Sequence, residues 1–191
     1  MKASDRRFES SVFAAILGLC CLVAGPTGVS AQEEAAQPED PWAPFRLLVG
    51  SWEGAIDGRL GSGTGVREYE LILDGNFLLS RHASVRLPQE KSPGGDHHRE
   101  LSIFSFDQER EQVVLRSFMV EGFVNEYACE VEGLRFVCAT ENVESGSGWR
   151  ARVTIEIHDP YSFDETFELA SPGQELAVYF TNTWTRSPAL E

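Results

Sequence analysis

The chain has 191 residues, with 16 Lys+Arg against 30 Asp+Glu and a formal net charge of −14. Such acidity argues against nucleic acid and anionic membranes as partners, since both select basic patches. No phosphate-binding loop, nucleophile elbow, His-Glu-x-x-His or Cys-x-x-Cys motif is present, so no common catalytic class is signalled.

Residues 1–31 read as a targeting segment. Lys2, Arg6 and Arg7 form a positive start, residues 12–24 an apolar stretch too short to span a bilayer, and Val29-Ser30-Ala31 a cleavage site before Gln32. The expected location is periplasmic or secreted, with no membrane insertion after cleavage. Cys20 and Cys21 lack the preceding small residue that a lipoprotein site requires. Removing 31 of 191 residues leaves 160, and takes away three cations and two anions, moving the net charge from −14 to −15. That length suits one domain. Residues 32–41 are acidic and rich in Ala, Gln and Pro, as expected of a disordered linker.

A single domain is expected over residues 42–187. It opens with a short capping turn, in which Phe45 to Val49 stop at Gly50 and the chain enters a strand through Trp52. Ten strands follow, at 51–57, 64–73, 76–87, 99–106, 112–120, 123–131, 134–140, 149–157, 162–169 and 175–186, separated by short Gly, Asp and Pro turns. Even spacing and the need to remove exposed edges predict an all-β, ten-stranded antiparallel up-and-down barrel of calycin type. If first and last strands pair, Arg186 lies across Trp52 and closes the bottom by a cation–π contact. The clearest alternation sets Trp149, Ala151, Val153, Ile155 and Ile157 inward.

Two cysteines remain after cleavage. With Gly133-Leu134 as a type II′ hairpin loop, Glu132 faces Arg135 and Cys129 faces Cys138 on a non-hydrogen-bonded pair. A cross-strand disulfide is therefore expected in an oxidising compartment, with a metal site as the weaker rival.

Candidate site residues come from charges on apolar parity. Arg81 shares a strand face with Phe77, Leu79, Ala83 and Val85, and Arg116 one with Val114, Phe118 and Val120. Either they point inward and grip a ligand carboxylate, or bulges shift the parity and they reach water. Glu165 falls on the apolar side of its strand, as a perturbed acid or an inward arginine's partner; Glu68 and Glu70 share a face without naming a reaction. His82 lies on the polar side of its strand, inward only if the interior is polar there. His97-His98 falls in the long 88–98 loop, and His158 in a turn. Tyr127 is expected to line the pocket.

The segment Leu48-Val49-Gly50-Ser51-Trp52-Glu53-Gly54 resembles the opening of the nitrobindin-like haem-binding β-barrels of the calycin group. Residues 118–127 and Gly148-Trp149-Arg150-Ala151-Arg152 look similar to exported bacterial proteins placed near that group. The resemblance spans about residues 42–187. It implies a ten-stranded barrel with one apolar pocket, haem as a ligand, and peroxynitrite or nitric-oxide chemistry if haem is held. Nitrobindins hold iron with a last-strand histidine. The last strand here has none, which leaves Tyr179 or His82 as the implied iron ligand.

The leading expectation is a non-catalytic binding module for a small apolar or amphipathic ligand, carboxylated in one version. The alternatives are a haem-dependent peroxynitrite isomerase or nitric-oxide-handling barrel, and an interaction protein whose barrel is filled by its own side chains.

Overall fold

The computed structural model describes residues 40–144 and 146–188. The expected targeting segment, the lipoprotein alternative and linker residues 32–39 lie outside the described residues. No helix among the described residues is long and apolar enough to cross a membrane.

Ten strands form one closed antiparallel barrel in which each strand pairs with its sequence neighbours and the last returns to the first. They are β1 (Gly50–Gly58), β2 (Gly63–Ile72), β3 (Phe77–Arg86), β4 (Asp96–Asp107) and β5 (Gln112–Met119), then β6 (Val124–Glu132), β7 (Arg135–Val143), β8 (Arg150–Asp159), β9 (Ser162–Ala170) and β10 (Ala177–Arg186). β4 begins three residues earlier than its apolar pattern suggested. His97 and His98 are therefore strand residues opposite Val85 and Ser84, not members of a long loop.

One end of the barrel is plugged. A 3-10 turn (Pro44–Leu48) sets Phe45 and Leu48 fully inside. Phe45 packs 4.4 Å from Phe136 and 5.5 Å from Phe104, centroid to centroid. The chain leaves this turn through Gly50 at φ +125°, a conformation that side chains rarely adopt, and a Cβ there would meet the Arg186 guanidinium. Arg186 lies 4.2 Å over the Trp52 ring and donates to the carbonyls of Leu47 and Val49 at 2.6 and 2.7 Å. The Trp52 indole donates to Leu48 O at 2.7 Å. First and last strands are thus joined to the plug by one cation and one indole. Above them sits Trp184, against the bare backbone of Gly54, where a Cβ would come within 2.6 Å of its ring.

The disulfide links Cys129 and Cys138, directly opposed in the β6–β7 register with Cα atoms 4.0 Å apart. Gly133 takes the positive φ of +59° that a II′ turn needs at its first central position. Both cysteines point inward and are buried.

Candidate functional site

Strand parity divides the barrel interior into two kinds of wall. From β8 and β9 the inward residues are mostly apolar: Ala151, Val153, Ile155, Phe163, Phe167 and Leu169. From β3 the inward set is Leu78, Ser80, His82, Ser84 and Arg86, all buried. β4 and β5 add His98, Glu100, Ser102 and Ser117 to this polar wall, with the Ser102 and Ser117 hydroxyls 2.7 Å apart.

This arrangement corrects the expectation for both arginines on apolar parity. Arg81 is exposed and pairs with Glu70 at 3.2 Å and Glu68 at 3.7 Å on the outer surface. Arg116 is exposed and pairs with Glu126 at 2.6 Å while donating to Ser105. No bulge shifts the parity in β3: period two identifies two faces, and here the apolar face is the outer one. Leu101 on β4, Phe118 on β5 and Val120 just past it are about half exposed outside, whereas Ser80, His82 and Ser84 of β3 lie inside. Glu68 and Glu70 are accordingly partners of Arg81, not an acid–base pair.

Besides Arg86 at the end of β3, the inward arginine is Arg67, which alternates with Tyr69 against outward Glu68 and Glu70. Its guanidinium meets Glu165 at 2.8 Å, both side chains about one-twentieth exposed. Glu165 also accepts from Asn182 and from the Trp184 indole, each at 3.0 Å. Arg67 donates to the Tyr69 hydroxyl and lies 4.9 Å over the Trp184 ring. Burial, the largest single influence, would lower the Arg67 pKa, but Glu165, Tyr69 and Glu100 together outweigh it and the net shift is upward. Sequence reading reached Glu165 but missed its partner. The available signal was Gly65, Arg67 and Tyr69 on the parity opposite two carboxylates.

Beside this pair lie His82, His98 and Glu100. Burial first, and Arg67 second, push the His82 pKa down to about 4, so its imidazole is neutral. The Glu100 carboxylate beside His98 raises the pKa of that imidazole. Glu100 is itself opposed by burial, but His98, Arg67 and the Ser102 hydroxyl prevail and hold it at about 2. Tyr127 is buried and inward; burial raises its phenol pKa, and it accepts a long hydrogen bond from Asn125. Tyr179 sits half-buried at the bulge in β10, packed on Phe167 and Phe180 with Arg59 over its ring. His158 pairs with Asp164 on the outside at 3.0 Å.

These walls enclose a cavity of about 540 Å³. Leu60, Asp96, Phe123, Trp149 and Tyr179 line its mouth, opposite the plugged end. Six buried polar atoms among the described residues have no hydrogen-bond partner: Arg67 Nε, Arg86 Nε, both His82 ring nitrogens, Asn125 Oδ1 and Asn182 Oδ1. All five residues line the cavity.

The residues present do not suit haem. Beyond its bulge β10 turns Phe180, Asn182 and Trp184 inward, none of which ligates iron, and the Tyr179 ring at the mouth is packed on Phe167 and Phe180 under Arg59. A nitrogen of His82 has donor atoms of His98 and Glu100 within 4.8 Å, a crowding of polar groups that leaves little room for a flat macrocycle at that imidazole. The interior guanidiniums, Arg67 and Arg86, are already paired with Glu165 and Asp96, leaving neither for a propionate.

No protein-family model and no curated protein sequence matches the chain. Among solved structures, Rv2717c from M. tuberculosis is similar with a TM-score of 0.55 at 14% identity, covering 78% of this chain and 99% of that one. A redesigned β-barrel, b11L5F_LGL, gives 0.38 at 10% identity over 75% of this chain and 94% of that one. A de novo fluorescence-activating barrel gives 0.30 at 12% identity over 74% and 95%. The likeness to Rv2717c is one of fold, and agrees with the closed antiparallel barrel.

Proposed function

We propose that this protein is an exported, non-catalytic barrel that binds a small neutral amphipathic molecule in its interior. The observation that carries the reading is the cavity of about 540 Å³ with a polar wall of unpartnered buried groups facing an apolar one. Buried polar groups are normally satisfied, so unpartnered ones around a cavity point to a molecule that answers them. The unanswered atoms comprise donors (Arg67 Nε and Arg86 Nε), acceptors (Asn125 Oδ1 and Asn182 Oδ1), and the His82 imidazole, which offers one of each. A hydroxyl or amide meets both kinds. A bare carboxylate accepts only, and the two guanidiniums already hold Glu165 and Asp96. The carboxylated version is thus disfavoured, since the arginines expected to grip it face water. A cavity of this size also weighs against a barrel filled by its own side chains. Export to an oxidising compartment is supported by the buried Cys129–Cys138 disulfide.

The test is a titration with Nile red, a neutral amphipathic dye. Saturable fluorescence enhancement at one site, abolished by Val153→Trp on the cavity wall, is the expected result. Equal binding by wild type and Val153→Trp, with the barrel circular-dichroism spectrum intact in both, would place the dye outside the cavity and contradict the reading.

A further inference from the structure

We propose that His82, His98 and Glu100 form a binding site for a divalent first-row transition-metal ion, of the zinc or ferrous class, on the inner wall of the barrel. The site goes beyond the amphiphile-binding reading: the unpartnered nitrogens of His82 are common to both, while the convergence of His98 and Glu100 on His82 belongs to this site alone.

Period-two geometry and register bring the three together. His82 on β3 is directly opposite Glu100 on β4, and His98 precedes Glu100 by two residues on the same inward face. One ligand atom from each lies within 4.8 Å of the others. Coordination at about 2.0–2.2 Å draws such donors to roughly 3–3.5 Å apart, which needs side-chain adjustments of about an ångström.

His82 supplies the second, independent observation. It is only 7% exposed, and neither of its ring nitrogens has a hydrogen-bond partner among the described residues. The Trp184 ring, edge-on at 5.6 Å, holds the imidazole in place. A buried neutral imidazole with no partner calls for an explanation, and a metal ion at its lone pair provides one.

The other two ligands are already oriented. His98 Nδ1 lies 3.4 Å from a Glu121 carboxylate oxygen, and its Nε2 faces Glu100 Oε2 at 3.9 Å. Donation from Nδ1 to Glu121 leaves the Nε2 lone pair free to point at the ion, the usual carboxylate–histidine support of a metal ligand. The Ser102 hydroxyl donates to Glu100 Oε1, leaving Oε2 for the same point. Arg67 is the nearby cation that opposes an ion here; its direct contact is with Glu165 at 2.8 Å, and Glu100 answers it only from a distance. A local His98–Glu100 pair accounts for two of the three side chains and leaves His82 unexplained.

Two imidazoles and a carboxylate favour zinc or ferrous iron over calcium or magnesium, which take oxygen ligands. Three protein ligands leave coordination positions open, and all three residues line the cavity, so those positions face whatever enters it.

The test uses the full chain, disulfide intact and stripped of metal by a chelator. Co²⁺ is followed by visible absorption, and Zn²⁺ by competition with a chromophoric chelator. Saturable uptake of about one ion per chain is expected, weakened about tenfold or more by Glu100→Gln and by His98→Gln. His97→Gln, on the outer face, should bind as wild type. His82→Asn is a further loss-of-binding variant if it folds; the less buried Glu100 and His98 variants decide if it does not. No saturable uptake by a chain with the circular dichroism of the barrel would overturn the site. So would uptake unchanged by both Glu100→Gln and His98→Gln.

Discussion

At the residue scale, Arg67–Glu165 is the interaction most expensive to break. Both side chains are almost wholly buried, and the carboxylate also holds Asn182 and the Trp184 indole. Removing one partner of a buried pair strands the other charge, which typically costs about 3–5 kcal/mol. Glu165→Gln should therefore lower the urea-unfolding stability by that amount, whereas Arg67→Met with Glu165→Leu should recover much of it. A loss in Glu165→Gln below about 1 kcal/mol, the range of an exposed pair, would show the charge to be solvated. Arg81 is the matching control. Its pairs with Glu68 and Glu70 are half exposed, so Arg81→Met should change stability by less than about 1 kcal/mol and leave dye binding unaltered.

At the element scale, the turn of hairpin β6–β7 and the register beside it were legible, because a Gly at the first central turn position fixes which residues face each other and the cysteines confirm it; the bulge between Glu126 and Tyr127 and the run of β7 to Val143 were not. Its disulfide closes a loop of about ten residues, for which chain entropy predicts a contribution of about 2–3 kcal/mol. Cys129→Ala with Cys138→Ala should lose that much in denaturant unfolding, and an unchanged midpoint would show the crosslink to be inert. The β8 alternation was equally readable, since its apolar face is the inner one. β3 and β5 were not, because alternation defines two faces without saying which lies inside. In β3 most of the apolar face looks outward, and β5 has apolar residues on both faces, with Val113 and Leu115 inside and Phe118 outside, so parity alone left Arg81, Arg116 and His82 open between the interior and water. The bulge in β10 shifts the pattern once more, which leaves Val178 half exposed and Phe180 at the cavity. Most of the polar wall follows from register between strands, and the cluster of His82, His98 and Glu100 exists only once β3 is laid against β4.

At the scale of the whole molecule, a barrel plugged at one end and open at the other makes its interior a site by construction. That interior also sets an alkaline limit on stability. Burial raises the phenol pKa values of Tyr69 and Tyr127, in Tyr69 against the pull of Arg67. A group whose folded pKa is raised contributes stability that is whole below the unfolded value, about 10 for tyrosine, and is lost as pH rises beyond it. The denaturant midpoint should thus hold up to about pH 10 and fall above it, with phenolate absorbance from these two residues appearing only as the barrel opens. Phenolate from Tyr69 and Tyr127 in an intact barrel would contradict their burial.

The central claim is that the cavity takes a neutral molecule with a polar end that both donates and accepts. The most direct measurement is competition against bound Nile red by dodecanol and by dodecanoate, equal in chain and different only in the head group. The alcohol is expected to displace the dye at lower concentration than the acid. Stronger displacement by the acid, or none by either, would contradict the account.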